Sequence, residues 1–307
     1  MEEQVRHFLV SLEEKLTYST STRLAYDNDL RCFMSFLAST LDRPPVPADF
    51  TQENIVAFLN AERTAGRRHS TLLRRRASLR RFAIFLGQQN PNWSADLQAS
   101  HLIDEAIAAP SPLVLPRYLT EDQVGSLWTV MEASSRPRTR RDQAILALLL
   151  ESGLTVGTLI AFDLQDVNLE QGKLRLSLGR TNKEHWISLG DAAQPIRRYM
   201  EEGRPELNYQ LTEPALFISQ TGGRMSRQGV WQVLSQWGSR AGLPMTLSSR
   251  LVRHTAAFRL ARSGRPLQEI QMLLGHSNPL STQALLRRLA TFGEEQQAGL
   301  STGTSHG

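Results

Sequence analysis

The chain has 307 residues, 40% of them hydrophobic, a formal charge of +5 and a pI near 9.8. That length supports one large domain or two moderate ones with real cores, and that composition excludes a disordered chain. No apolar run approaches the length of a bilayer span and the lone Cys32 excludes an internal disulfide, so a cytoplasmic protein with no membrane partner is expected.

Met1 to Leu16 mixes Glu2, Glu3, Arg6, Glu13, Glu14 and Lys15 with apolar residues and reads as an amphipathic helix, not a signal peptide. Ser19 or Thr20 caps a second helix through Ala38, and Cys32, between Leu30 and Phe33, reads as a buried, inert thiol. Leu41 to Phe50 carries three prolines and reads as a loop. Thr51 caps a third helix that Gly66 ends, and Ser70 starts a fourth that runs to Leu86. On that helix Leu72, Leu79, Ala83 and Leu86 share a face, with Arg74 and Arg81 opposite.

Residues 1–108 therefore read as one helical domain. Residues 109–118, containing the run APSPLVLP, read as a linker. A second domain is expected over 119–292 and a flexible tail over 293–307. Thr120, Glu121 and Asp122 open the second domain with a helix, and Arg141 to Ser152 is a buried helix closed by Gly153. Lys173–Leu178 and His185–Leu189 alternate as the strands of a hairpin around the turn Gly179–Glu184. Helices follow near Ala192–Glu202, Ser226–Ala241, Ser249–Ser263, Pro266–Leu274 and Thr282–Ala290. The fold class is thus mainly α with a small β-sheet, α+β.

Charge is unevenly spread. Arg63 to Leu86 holds eight arginines and no acid, and Pro214 to Gln268 again holds eight arginines and no acid. Two such stretches suit a polyanion partner, although solvated basic faces have the same composition. His185, His254 and His276 lack metal-ligand spacing, so neither a metal nor any other cofactor is expected.

Four segments in order carry a resemblance: ESGLTVGTLIAFDLQDV from Glu151, GRTNKEHWISL from Gly179, LSSRLVRHTAAFRL from Leu247 and IQMLLGHSNPLSTQ from Ile270. Together they resemble the catalytic domain of tyrosine recombinases of the phage-integrase family, Xer-type members in particular. The helical first half, from STSTRLAYDNDLRCFMSFL, is similar to the family's SAM-like core-binding domain. The resemblance covers about residues 5–290. It implies a two-domain clamp on double-stranded DNA and a tyrosine that attacks a phosphodiester. Two arginines then fork onto the non-bridging oxygens and a hairpin lysine protonates the leaving oxygen.

The chain departs from that pattern at most positions. Thr155 stands where the first arginine belongs, Thr158 at the following acidic position, Arg180 at the hairpin lysine and Arg250 at the first histidine. An arginine cannot act as an acid near neutral pH. Arg253 and His276 keep the family's residues, but Leu285 occupies the nucleophile's place and no tyrosine follows Tyr209. Ser281 and Thr282, the nearby hydroxyls, read as helix N-caps. Each missing charge partner costs roughly 100- to 1000-fold in rate, and loss of the nucleophile removes the covalent route.

By this resemblance Arg67, Arg68, Arg74, Arg75, Arg81, Lys183, Arg224, Arg227, Arg250 and Arg253 contact DNA, mostly its backbone. The leading expectation is a cleavage-deficient accessory or regulatory factor in site-specific recombination or integration. It would act beside an active tyrosine recombinase or by self-association. An active recombinase with a relocated hydroxyl nucleophile, and a protein-interaction module that has left DNA, are the competing readings.

Overall fold

The computed structural model describes residues 1–14, 18, 20–90, 117–178, 183–208, 213–276 and 278–302. The chain divides into two compact units, Met1–Val114 and Leu115–Gly307. The hairpin turn with Arg180, most of the proline-rich segment and Tyr209 lie outside the described residues.

The first unit has four described helices: α1 (Glu2–Glu14), α2 (Thr20–Leu41), α3 (Gln52–Thr64) and α4 (His69–Gln89). Thr51 caps α3 by accepting from the amide of Asn54 at 3.3 Å. The core is largely aromatic, with Phe33 edge-on to both Phe50 and Phe58 at 5.3 Å between ring centres. Leu72, Leu79, Ala83 and Leu86 are buried, as the helical spacing predicts. Cys32 is half-buried rather than buried, 3.6 Å from a terminal nitrogen of Arg75.

The second unit opens at Leu115, so Arg117 and Tyr118, read from sequence as linker, belong to it. Tyr118 is buried, stacks on Phe258 at 4.0 Å and meets Phe292 edge-on. Helix α5 (Glu121–Glu132) starts in a capping box of Thr120 and Gln123. Helix α6 (Pro137–Ser152) is the buried axis of the unit, from Ala144 to Leu150 without an exposed residue. Gly153 ends it at φ 62°, where a Cβ would lie 3.1 Å from Leu274 and 3.3 Å from Ala256.

A short helix α7 (Val156–Ala161) leads to an antiparallel sheet in the order β1 (Val167–Asn168), β2 (Lys173–Leu178), β3 (Lys183–Ser188). The register pairs Leu174 with Ile187 and Leu176 with His185, so Leu174 and Leu176 point into the core. The expected strand from His185 thus starts two residues earlier, and β1 was not foreseen because two residues carry no periodicity. The helix expected over Ala192–Glu202 is broken into α8 (Ala193–Arg198), a π-helical turn (Tyr199–Gly203) and α9 (Arg204–Leu207).

Helices α10 (Arg227–Arg240), α11 (Ser249–Arg262), α12 (Leu267–Leu273) and α13 (Pro279–Thr302) complete the unit. The expected tail from residue 293 is helical to Thr302. A Cβ at Gly293 would lie 2.6 Å from the Tyr118 hydroxyl, so this turn packs on the domain.

Candidate functional site

One cavity of about 420 Å³ gathers most of the positions singled out in the sequence. Leu154, Thr155, Val156, Ser249, Arg250, Arg253, His254, His276, Ser281 and Leu285 line it. Its wall is made by the turn after α6 and by the first turns of α11 and α13. Helix N-termini leave amide donors free and carry partial positive charge, so this wall favours an anion.

Arg253 is held from behind. Its Nη1 donates to the carbonyl of Gly153 at 3.1 Å and its Nη2 to the carbonyl of Leu274. A guanidinium has five N–H donors, so three remain for a ligand. Burial holds its pKa below the usual arginine value. Arg250 is exposed, and no described carboxylate pairs with it.

His276 is fixed at three atoms. Its Nδ1 lies 2.9 Å from Oγ1 of Thr282, its amide donates to the Gln271 carbonyl, and its carbonyl accepts from Nε2 of Gln271. Burial first, and the charge of Arg253 second, push its pKa down. His254 is buried with Nδ1 3.0 Å from the carbonyl of Arg117. Burial and the charges of Arg250, Arg253 and Arg288 lower its pKa as well. The cavity is therefore a positive field that disfavours the charged form of both imidazoles.

The remaining lining residues are inert by comparison. Thr155 caps α7, accepting from the amide of Thr158 at 3.1 Å, and its hydroxyl lies 3.0 Å from that of Thr158. Leu285 is half-buried and packs against the core. Ser281 and Thr282 are not N-caps, because α13 begins at Pro279 and Asn278 accepts from the amide of Leu280. The Asn-Pro pair carried that signal, since proline favours the first helical turn. Ser249 in the wall was not foreseen.

Several expected DNA-contacting arginines are otherwise engaged. Arg75 is buried, pairs with Glu62 and lies 3.6 Å from Asp29, so it cannot offer a free guanidinium. Arg74 spends its Nη1 on Asp29 and the carbonyl of Ala25. Arg67 pairs with Glu62 at 3.1 Å while remaining exposed. Arg224 pairs with Asp163 at 2.5 Å and donates to the carbonyls of Ile160 and Phe162. All three acids come from outside the acid-free stretches, which is why the sequence hid them. Arg68, Arg81 and Arg227 are exposed and form no ion pair among the described residues. Arg227 lies over Gly157, where a Cβ would come within 2.8 Å of it. Lys183 opens β3, and Arg180 lies outside the described residues.

No three His, Cys, Asp or Glu side chains form a metal-holding group, and no helix is long and apolar enough to cross a membrane, among the described residues.

Comparison with known proteins gives the family. The chain is 30% identical over 287 residues to tyrosine recombinase XerC of Herpetosiphon aurantiacus, covering 92% of this chain and 90% of that protein. It is 31% identical over 286 residues to tyrosine recombinase XerD of Listeria monocytogenes, covering 92% and 91%. The fold is similar to that of a Tn1549 transposon integrase in complex with transposon right end DNA. There the TM-score is 0.70 at 16% identity, covering 92% of this chain and 94% of the other. The model of the phage integrase N-terminal SAM-like domain matches residues 5–90. With the phage integrase family model matching residues 117–289 as well, the chain belongs to the phage integrase family.

Proposed function

We propose that the chain binds duplex DNA as a cleavage-deficient member of its family, an accessory or regulatory factor in site-specific recombination or integration. The observation that carries this reading is the make-up of the cavity wall. Arg250, Arg253 and His276 supply donors for a phosphodiester, while Leu285 supplies no phenol and Thr155 no cation. No tyrosine follows Tyr209 in the sequence, so a shifted register cannot restore the nucleophile. A bound phosphate is held by charge-assisted hydrogen bonds and meets no phenol.

The test joins two measurements on the purified chain. Duplex DNA is retarded in a gel shift, with affinity falling steeply as salt rises, because binding releases condensed counterions. A nicked duplex, which traps covalent intermediates, gives no adduct on a denaturing gel. Absent or salt-insensitive binding overturns the first half of the reading, and an adduct overturns the second.

A second reading is favoured by one observation: Ser281, which carries a hydroxyl, lines the same cavity. As nucleophile it would form a phosphoserine link and release a 5′ hydroxyl. An adduct with the unsubstituted chain that vanishes in Ser281→Ala supports it, and an adduct that survives the substitution refutes it.

A further inference from the structure

A second cavity, of about 400 Å³, lies on the Leu115–Gly307 unit and shares no lining residue with the first. Its floor is one stripe of α6, formed by Gln143, Ala147, Leu150 and Glu151, which helical spacing places on a single face. Trp128 of α5 and Pro195 of α8 wall it, and both are half-buried. An aliphatic and aromatic lining with a few placed charges is the make-up of a small-molecule site.

The charges sort to two ends. At one end the Asp191 amide donates to the Glu151 carboxylate, and a Cβ at Gly190, at φ 47°, would overlap that carboxylate. Neither Glu151 nor Asp191 forms an ion pair with a described residue. Burial first, and the charge of Asp191 second, push the Glu151 carboxyl up, so this end lacks a cation. Arg259 borders it but is committed to Glu121, to which its Nε donates at 3.0 Å. At the other end stands Arg198, about 10 Å beyond Asp191 along the helical run. Glu132 and Gln143 are beside it, since the three also line an adjoining depression with Arg140 and Glu202. Arg140 and Glu202 pair with each other at 2.5 Å, whereas Arg198 and Glu132 are exposed and form no ion pair with a described residue.

A side-chain ammonium or guanidinium suits Glu151 and Asp191, and an apolar stem suits Leu150, Ala147 and the Trp128 indole. A carboxylate suits Arg198, and an ammonium next to it suits Glu132. A basic amino acid carries these groups in that order on a stem of three or four methylenes. A nucleic-acid backbone is repelled by the same three carboxylates. We infer that this cavity binds a free basic amino acid of the arginine or lysine type, its side-chain cation on Glu151 and Asp191 and its α-carboxylate on Arg198. Neither duplex binding nor the make-up of the Arg253 cavity enters this assignment.

The test is calorimetric titration of the full chain with L-arginine and L-lysine, each beside its decarboxylated form, agmatine and cadaverine. One of the amino acids is expected to bind one-to-one, and more tightly than its decarboxylated form. Glu151→Gln should weaken both forms alike, by about tenfold or more, because a charge-assisted hydrogen bond is lost. Arg198→Ala should weaken the amino acid by a similar factor and leave the decarboxylated form unchanged. Retained circular dichroism melting shows that the variants fold, and the exposed Arg198 carries the test if Glu151→Gln does not. Absence of binding at millimolar amino acid overturns the inference, as does binding that Arg198→Ala leaves intact. A decarboxylated form that binds as tightly as its amino acid overturns it too, by removing the role of Arg198. A terminally blocked peptide with one central arginine that outcompetes free arginine assigns the cavity to a basic side chain of a protein partner, and also overturns it.

Discussion

The Nδ1 of His276 and the Oγ1 of Thr282 lie 2.9 Å apart, and Thr282 is fully buried. The contact ties the turn after α12 to the first turn of α13, and so fixes the imidazole that borders the cavity. Thr282→Val keeps the shape and removes the hydroxyl. It is expected to lower stability by about 1 kcal/mol, read as a shift in the urea midpoint. Thr282→Ser, which keeps the oxygen, should recover most of that loss. Equal losses for both would mean that the methyl packing, not the hydrogen bond, matters at this position.

The two histidines of the cavity give stability a defined pH dependence. Both pKa values lie below the ordinary 6.5 in the folded chain, with burial as the first cause. Below about pH 6.5 the unfolded chain takes up protons that the folded chain refuses, so this contribution is complete above 6.5 and is lost as pH falls. Asp29, Asp142 and Glu151 act in the opposite sense, because burial raises their values and the folded chain keeps protons that the unfolded chain has released. Their effect falls at lower pH, nearer the carboxylate range. His254→Asn is therefore expected to flatten the stability loss between about pH 6.5 and 5.5 relative to the unsubstituted chain. Urea midpoints at stepped pH measure this, and parallel curves would contradict it.

Within the first unit, Arg75 and Arg81 are predicted to separate stability from binding. Arg75 is buried between Glu62 and Asp29, whereas Arg81 is exposed. Arg75→Ala removes one of the cations on each of Glu62 and Asp29, which Arg67 and Arg74 still contact, and empties a buried site, so it is expected to cost about 1 to 2 kcal/mol. Arg81→Ala should change stability by less than about 0.5 kcal/mol. It should reduce the salt slope of duplex binding by about 1. If Arg75→Ala instead left stability intact and reduced the slope, the sequence-based assignment of Arg75 to the DNA surface would be restored.

The arginines also mark the limit of what the sequence discloses. Helical periodicity located α3 and α4, and capping residues located the starts of α3 and α5, because these signals act over a few neighbouring positions. The pairs Arg74–Asp29 and Arg224–Asp163 join residues 45 and 61 positions apart, and no local pattern reports them. A stretch without acids is therefore not a surface without acids. The cavity was legible because three of the four segments that resemble family motifs line it, without any geometric derivation, whereas no residue of the hairpin segment from Gly179 is among its described lining. Thr282 escaped because its role depends on where α13 starts, and helix ends are the least certain feature of a pattern.

Restoring the nucleophile alone is predicted not to restore cleavage. Leu285→Tyr places a phenol where a half-buried leucine now packs against the core, at the edge of the cavity. The phosphoryl oxygens would still lack a guanidinium at position 155, because Thr155 is a helix cap and not a cation, and would meet only those of Arg250 and Arg253. One missing preorganised donor costs roughly 100- to 1000-fold, and Arg180 as a non-acid adds a further loss of similar size. The single substitution is thus expected to yield no adduct with a nicked duplex. The combination Leu285→Tyr, Thr155→Arg and Arg180→Lys should yield one, at a stability cost near 1 kcal/mol from the lost Thr155 cap. A denaturing gel reads the outcome. Adduct formation by Leu285→Tyr alone would mean that Arg250 and Arg253 already suffice as the cationic cradle, and that the chain lacks only its nucleophile.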